Sequence, residues 1–332
     1  MPDSRLKFAF YWSGSCGGCE VAVLDIDEKI LDLLNHVEIV FWPVAIDIKY
    51  KELEEFPDGY IDVCFINGII RNTENEKIVK HLRKKSKIVV AFGSCSCFGS
   101  VVGLANLHKR EEILKTVYQT TLSTVNPEKT IPQTYSKINS YELTLPEFLP
   151  QAKILSEIIE VDYSLPGCPP PVKLIATAID LIISGKLPHR GAVIASNKSV
   201  CDECKKEKQD KDIKEIKRVF EFGPGEIDSK KCLLEQGIIC MGPATRAGCD
   251  APCTAADMPC TGCLGPCENV HDQGAKMISA LASVFLLGDE EKIPEQEIER
   301  HLNKIPDPIG TFYKYTYISS LLGKIANRQN KE

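Results

Sequence analysis

The feature that most constrains this chain is a pair of cysteines in a glycine-rich loop. The apolar run Phe8–Trp12 predicts a buried strand, and the loop after it carries Cys16 and Cys19. Apolar residues at helical spacing begin at Val21. The two thiols therefore lie in the turn between a strand and a helix, which is where parallel α/β sheets bind ligands. A C-x-x-C pair by itself is consistent with a redox dithiol, half a zinc site or half an iron–sulfur site.

Two further cysteines favour the cluster interpretation. Ile88–Phe92 predicts a buried strand that leads to Cys95, and a weaker strand candidate over 158–165 leads to Cys168. Because the carboxyl ends of parallel strands meet at one edge of a sheet, these thiols would converge with the first pair. Four thiolates from different loops suit a cubane iron–sulfur cluster. Burial as an inert thiol is the commoner alternative for any one of them, but it accounts poorly for the set.

Composition excludes several classes of protein. The chain has 332 residues, a net charge of −6 and a pI near 5.7. This length allows two domains with proper cores, and no basic excess suggests nucleic acid. The longest apolar run, Ile278–Leu287, is far shorter than the roughly 18 residues that span a membrane, so we expect a cytoplasmic protein without a membrane anchor. Fifteen cysteines in a reducing compartment indicate metal or redox chemistry rather than disulfides.

Predicted strands and helices alternate through the first half of the chain. The strands are Lys7–Trp12, Val37–Trp42, Ile61–Asn67, Lys87–Phe92 and 158–165, and the helices are 20–35, 73–85, 109–124 and 172–184. This alternation predicts a doubly wound parallel α/β sheet of the flavodoxin-like class. Residues 126–150 hold several prolines and no clear period, so we expect them to form a long insertion.

The second half is rich in cysteine and poor in regular apolar pattern. Nine of the fifteen cysteines lie between 201 and 267. Such a segment cannot offset its chain entropy with apolar burial alone, so bound inorganic clusters would act as its core. Structural Cys₄ zinc sites are the alternative. We therefore expect a sheet domain over 1–190, an irregular iron–sulfur domain over 191–288 and a tail over 289–332.

Two details of the second half carry their own expectations. Helices are predicted over 269–287 and 294–304, and the aromatic stretch Phe312–Tyr317 is typical of core or interface packing. The charge run Lys205–Lys211 is typical of a solvated face.

The motifs together resemble the small, electron-transfer subunit of [NiFe]-hydrogenases over nearly the whole length. The motifs that carry the resemblance are Trp12–Glu20, Gly93–Cys95, Pro166–Pro170, Cys240–Cys249 and Pro259–Pro266. Their spacing, with the stretch Phe41–Tyr50, is most similar to the cytoplasmic F420-non-reducing (methyl-viologen-reducing) subgroup. In that subgroup a larger subunit holds nickel and iron, and an iron–sulfur delta subunit passes electrons to heterodisulfide reductase.

The resemblance implies three [4Fe–4S] clusters with four cysteine ligands each. The implied ligands are Cys16, Cys19, Cys95 and Cys168 (proximal), Cys249, Cys253, Cys260 and Cys263 (medial), and Cys201, Cys204, Cys232 and Cys240 (distal). Periplasmic relatives have histidine at the position of Cys201, so a Cys₄ distal cluster is implied here. Many relatives have proline at the position of Cys253 and bind a three-iron medial cluster, so the medial cluster would be [3Fe–4S] if Cys253 is not a ligand.

Three cysteines and one carboxylate remain outside these sets. Cys64 is expected to pack within its strand, while Cys97 and Cys267 lie close enough in sequence to replace a ligand. Glu20 would serve either a proton path at the subunit boundary or, as a first-turn carboxylate, the helix dipole.

The implied function is to relay electrons from H2 oxidation in the large subunit to an iron–sulfur or flavin partner. The large subunit would dock over Trp12–Glu20 and the exit partner near Cys201–Lys211. The chain would carry no catalytic metal, because it lacks paired C-x-x-C motifs at its two ends. Three alternatives stay open. They are the small subunit of an F420- or NAD(P)-reducing hydrogenase, a zinc-binding scaffold, and a complex I subunit, which would have adjacent cysteines in the first motif.

Overall fold

The computed structural model describes residues 5–209, 213, 215–223, 225–285, 295–305 and 307–329. Its strands are β1 (Leu6–Trp12), β2 (Val37–Phe41), β3 (Ile61–Asn67), β4 (Ile70–Asn72), β5 (Ser86–Phe92), β6 (Tyr135–Ile138), β7 (Tyr141–Thr144), β8 (Phe148–Lys153) and β9 (Tyr163–Leu165). Its α-helices are α1 (Gly18–Leu24), α2 (Lys29–His36), α3 (Tyr50–Glu55), α4 (Thr73–Lys85), α5 (Ser94–Phe98), α6 (Arg110–Lys115), α7 (Val172–Ile183), α8 (Pro252–Ala255), α9 (Gln273–Phe285), α10 (Glu295–Leu302), α11 (Pro308–Phe312) and α12 (Leu321–Gln329).

A parallel sheet of five strands organises the first half of the described chain. Its strand order is β2-β1-β3-β5-β9, and every neighbouring pair is parallel. Counted along the sheet strands, this is the 2-1-3-4-5 order of flavodoxin-like proteins. The predicted fold class, a parallel α/β sheet followed by a less regular cysteine-rich region, is therefore confirmed.

Both faces of the sheet are covered by helices. Phe8, Phe10 and Phe65 pack on one face with apolar residues of α7, while Ala9 and Tyr11 pack on the other face with residues of α4. Burial on two faces explains why the strands are continuous apolar runs without alternation. It also means that the strand ends, rather than the faces, are free to carry a site.

Several local predictions were wrong in extent. The helix predicted over 20–35 is two helices, α1 and α2, because Asp27 adopts a left-handed conformation (φ 55°) that interrupts it. Of the strand predicted over 158–165, only Tyr163–Leu165 is a strand, β9. Of the helix predicted over 109–124, Arg110–Lys115 forms α6 and Thr116–Thr120 forms a π-helical turn that follows it directly.

The insertion over 126–150 has more structure than its sequence indicates. β6 and β7 form an exposed antiparallel hairpin, and β8 pairs antiparallel with β4 beside the sheet. Because the hairpin has no buried face, its sequence lacks the alternation of apolar and polar residues that would predict its strands.

The cysteine-rich half has its own buried cluster of apolar side chains. Met241, Met277 and Leu281 pack there with Phe312 and Tyr317 from the aromatic stretch. The aromatic stretch is thus core packing, as the sequence analysis expected. Within the described parts of the chain, every helix is too short or too polar to cross a membrane.

Candidate metal centres

The proximal set lies at the carboxyl edge of the sheet. Cys16 and Cys19 follow β1, Cys95 lies in α5 directly after β5, and Cys168 follows β9. Burial raises the pKa of Cys19 most, and the neighbouring thiols of Cys95, Cys168 and Cys16 raise it further. The structure therefore brings together the four cysteines that the strand-end argument placed at one edge.

Glycine is required where these loops approach one another. Gly93 has φ 83°, and a Cβ there would overlap the sulfur of Cys19. Gly17 also has φ 83°, and a Cβ there would lie 2.9 Å from the ring of Trp12. Side chains at these positions would intrude on the proximal thiols or on the loop that presents them, so backbone without Cβ lines this site.

The distal set surrounds a cavity. Cys201, Cys204, Cys232 and Cys240 line a space of about 280 Å³. A single water needs only about 10–15 Å³ by the same measure, so the space suits a group of many atoms better than one ion. A Cβ added at Gly242 would lie 3.1 Å from the sulfur of Cys201 and 3.6 Å from that of Cys240.

Thiols in the distal set affect one another. The pKa of Cys201 is raised to about 11. Burial is the main cause, and the thiols of Cys240, Cys232 and Cys204 also raise the pKa, while the charge of Lys208 lowers it. Thiolates in this cavity would need a bound cation to balance their charge.

The medial set is arranged around a short helix. Asp250 and Ala251 both have positive φ, 59° and 51°, and they direct the chain into α8, which carries Cys253. Burial, together with the thiols of Cys249 and Cys253, raises the pKa of Cys263 to about 12. After burial, the group that most raises the pKa of Cys260 is Cys240 of the distal set, followed by Cys263.

The medial set meets each of the other two sets at a junction. At the first, Ser94, which directly precedes Cys95 of the proximal set, donates a hydrogen bond to the carbonyl oxygen of Cys263, and the thiol of Cys168 raises the pKa of Cys263. At the second, the amide of Cys260 donates a hydrogen bond to the sulfur of Cys240 over 3.3 Å. The segment 260–263 therefore contacts the proximal loops through Cys263 and the distal set through Cys260.

The remaining cysteines have other surroundings. Cys64 is fully buried in β3, and the thiol of Cys97 donates to the carbonyl of Ala91 over 3.3 Å beneath the sheet. Burial raises the pKa of both to about 12. Cys267 is half-buried beside Arg246, whose charge lowers the thiol's pKa against the effect of burial.

Glu20 is held by two donors. It is buried, and its carboxylate accepts hydrogen bonds from the indole of Trp42 and the amide of Asn67. Ser15, in the cysteine loop, donates to the carbonyl oxygen of the same Asn67 side chain over 2.7 Å. Burial raises the pKa of Glu20, while its two donors lower it. The carboxylate thus fastens the first turn of α1 to β3 and to the residue after β2.

The prediction of a solvated face over Lys205–Lys211 is wrong for Lys206. Its side chain is only 6% exposed, and its ammonium bonds Asp257 at 2.6 Å and the Ser229 carbonyl at 2.9 Å. The aliphatic stem lines the distal cavity, which explains its burial. Lys205 and Lys208 are exposed, and residues 210–212 lie outside the described residues.

The chemistry of these sites fits iron–sulfur clusters. The proximal and distal sets collect thiols from separate segments of the chain, the medial set collects them from the stretch 249–263, and thiolates are the usual ligands of such clusters. In the part of the chain that the structure describes, no three His, Cys, Asp or Glu side chains form a group that could hold a single metal ion.

Comparison with known proteins identifies the family. The chain is 43% identical to the iron–sulfur subunit of the F420-non-reducing hydrogenase of Archaeoglobus profundus, over 98% of each protein. It is 35% identical to a subunit of the F420-non-reducing hydrogenase of Methanothermobacter thermautotrophicus, over 98% of this chain and 99% of that one. The chain belongs to the family of iron–sulfur subunits of F420-non-reducing hydrogenases. The resemblance drawn from the motifs is therefore confirmed.

Residues 16–182 also match the family described as NADH ubiquinone oxidoreductase, 20 Kd subunit. That match begins after β1, covers the other four strands of the sheet and the proximal cysteines, and ends before the cysteine-rich half. A chain in the solved NAD+-reducing [NiFe]-hydrogenase in the H2-reduced state aligns with a TM-score of 0.48 and 28% identity, over 56% of this chain and 95% of that one.

Membership of this hydrogenase family makes the chain the small, electron-transfer subunit of a hydrogenase complex. It implies a large-subunit partner, and with the cysteine content it implies iron–sulfur clusters.

Proposed function

We propose that the chain holds three [4Fe–4S] clusters and relays electrons from H2 oxidation in a [NiFe] large subunit to an iron–sulfur delta subunit, which feeds heterodisulfide reductase. The observation that carries the proposal is that the medial set meets both other sets, the proximal one where Ser94 bonds Cys263 and the distal one where Cys260 bonds Cys240. A chain of cofactors needs neighbouring sites in contact, and a structural zinc scaffold would have no need of such junctions.

Each set is assigned one cluster. The ligands are Cys16, Cys19, Cys95 and Cys168 for the proximal cluster, Cys249, Cys253, Cys260 and Cys263 for the medial, and Cys201, Cys204, Cys232 and Cys240 for the distal. When bound, iron–sulfur clusters accept and donate single electrons at potentials set by burial and by hydrogen bonds to sulfur. The chain supplies that burial and those donors, and its loops hold the three sites in sequence.

The exposed residues support an entry at the proximal edge. Trp12, Val21 and Leu24 are 40%, 58% and 56% exposed, and Cys16 is exposed among them. Apolar residues grouped around a ligand in this way favour cover by another protein. We assign this surface to the large subunit.

Electrons would leave the chain at the distal set. Exposed Lys208 lines the distal cavity, and exposed Lys205 directly follows Cys204 of its lining. We assign the acceptor subunit to that surface. All fifteen cysteines are free of disulfides, which supports a location of the protein in the reducing cytoplasm.

The proposal also divides the chain into three parts. The sheet domain ends at residue 190, the iron–sulfur domain ends at residue 288, and the tail follows.

Metal analysis of the purified complex tests the assignment. This subunit should contribute about twelve iron and twelve acid-labile sulfide, four of each per cluster. Cys16→Ala should abolish H2-dependent reduction of every acceptor, and Cys97→Ala, a matched change at a buried non-ligand, should preserve both iron and activity. Zinc in place of iron would overturn the proposal, and the subunits that co-purify would identify the partners.

A further inference from the structure

Ser94 lies where the proximal and medial sets meet. It is 1% exposed and directly precedes the proximal ligand Cys95. Its hydroxyl accepts a hydrogen bond from the amide of Gly167 over 3.0 Å and donates one to the carbonyl oxygen of Cys263. Its own amide donates to the carbonyl of Gly167 over 2.8 Å. One small side chain therefore ties the proximal loops after β5 and β9 to a medial ligand.

The link made by Ser94 lies where two cysteines of different sets are close. Gly167 directly precedes the proximal ligand Cys168, and the thiol of Cys168 raises the pKa of Cys263. By bonding both the Gly167 amide and the Cys263 carbonyl, the Ser94 hydroxyl fixes the proximal loop against the segment that carries the medial ligand. Because these segments carry the ligands, their separation sets the separation of the two clusters.

The second junction is held by a different arrangement. There the amide of Cys260 donates to the sulfur of Cys240 over 3.3 Å, and the amide of Met241 donates to the carbonyl of Cys260 over 2.8 Å. Main-chain amides donate both of these bonds. At the first junction the link passes through the Ser94 side chain, so it can be removed by mutation.

We propose that Ser94 is a positioning residue that holds the loop of the proximal ligand Cys168 against the segment of the medial ligand Cys263, and thereby sets the separation and relative potential of the proximal and medial clusters. This inference rests on the proposed function. The hydroxyl touches neither the substrate nor the sulfur atoms, and it acts through the two loops that it joins.

The test compares Ser94→Ala with Ser96→Ala in the complete hydrogenase complex. Ser96 lies in the same helix α5 and is equally buried at 1% exposed, but among the described residues its hydroxyl has no hydrogen-bond partner. Potentials are read from redox titrations followed by electron paramagnetic resonance. Loosening this link changes the distance between two charged clusters and therefore their mutual repulsion, which should shift electron sharing between them about tenfold, or 59 mV for a one-electron couple.

Ser94→Ala should also weaken the magnetic interaction between the two reduced clusters, while Ser96→Ala leaves both quantities unchanged. Ser94→Thr keeps the hydroxyl and should restore the wild-type potential. Equal potentials in the two alanine variants, with full iron content in both, would overturn the inference and leave the proposed function standing. A wild-type subunit without iron would overturn the proposed function itself.

If Ser94→Ala does not assemble, Ser94→Cys takes its place, because a thiol has a similar size and is a weaker hydrogen-bond donor. The matched control is then Ser96→Cys. Equal potentials and equal magnetic interaction in these two variants would refute the inference.

Discussion

Arg71 should destabilise the isolated subunit, and replacing it with methionine should stabilise it. The residue is 8% exposed, and among the described residues neither of its terminal nitrogens has a hydrogen-bond partner. Its guanidinium lies 4.0 Å from the centre of the Phe148 ring. Burial, with a contribution from the charge of nearby Arg110, lowers the pKa of Arg71 to about 10. The charge is therefore buried, unpaired and close to a like charge.

The expected gain follows from these contacts. A buried donor without a partner costs about 1–3 kcal/mol, and more when it is charged. The stacking on Phe148 returns about 0.5–2 kcal/mol as a cation–π interaction. Methionine fills a similar volume and keeps a favourable contact with the ring. Arg71→Met should then raise the free energy of unfolding of the sheet domain by about 1–2 kcal/mol.

Arg83 provides the matched control, because it is an arginine of the same domain with full partners. It bonds Asp162 at 2.6 Å and the carbonyls of Ser86 and Lys87 at 2.8 and 3.1 Å, and the Asp162 side chain is fully buried. Arg83→Met leaves Asp162 with the amide of Val89 at 2.8 Å and, among the described residues, with Arg190 as its remaining charged partner at 2.9 Å. The change should cost about 3 kcal/mol.

Hydrogen exchange of peptides from β3 and β5 measures both effects without requiring the clusters to leave and rebind reversibly. Arg71→Met should slow exchange and Arg83→Met should speed it. Faster exchange in both variants would refute the reasoning, because it would mean that the Arg71 guanidinium stabilises the fold.

Four further substitutions test the sites. Cys253→Pro should convert only the medial cluster to a three-iron form, seen as a new paramagnetic signal in the oxidised protein; an unchanged spectrum would remove Cys253 from the ligands. Gly242→Val should cost about four of roughly twelve irons, because its side chain would enter the distal cavity; unchanged iron would show that the cavity is not the site. Lys205→Glu should slow transfer to the protein acceptor and spare dye reduction, with an effect that fades as salt screens charges beyond about 8–10 Å. Lys206→Glu should instead lower stability, because it removes the bonds to Asp257 and Ser229. Equal behaviour of the two lysine variants would contradict the burial of Lys206.

The sequence by itself determined the elements that depend on neighbours along the chain. Apolar runs identified β1, β3 and β5 within a residue or so, because both sheet faces are buried and nearly every position in these strands is apolar or small. The helix predicted over 73–85 is α4, and the Asn72 side chain before it accepts a hydrogen bond from the amide of Asn75 over 2.8 Å. The positions of Cys16, Cys95 and Cys168 after strands placed them at one edge, because parallel strands all end there.

Only the tertiary structure decided the features that join distant parts of the chain. Ser94 and Cys263 are 169 residues apart, and nothing local to either one announces their hydrogen bond. The burial of Lys206 depends on Asp257, 51 residues away, and the place of Cys260 between two thiol sets depends on Cys240. Local patterns report the energetics of one strand or one helix turn. The contacts that align the three thiol sets form between loops without periodicity, where the identity of the partner is settled by how the whole chain packs.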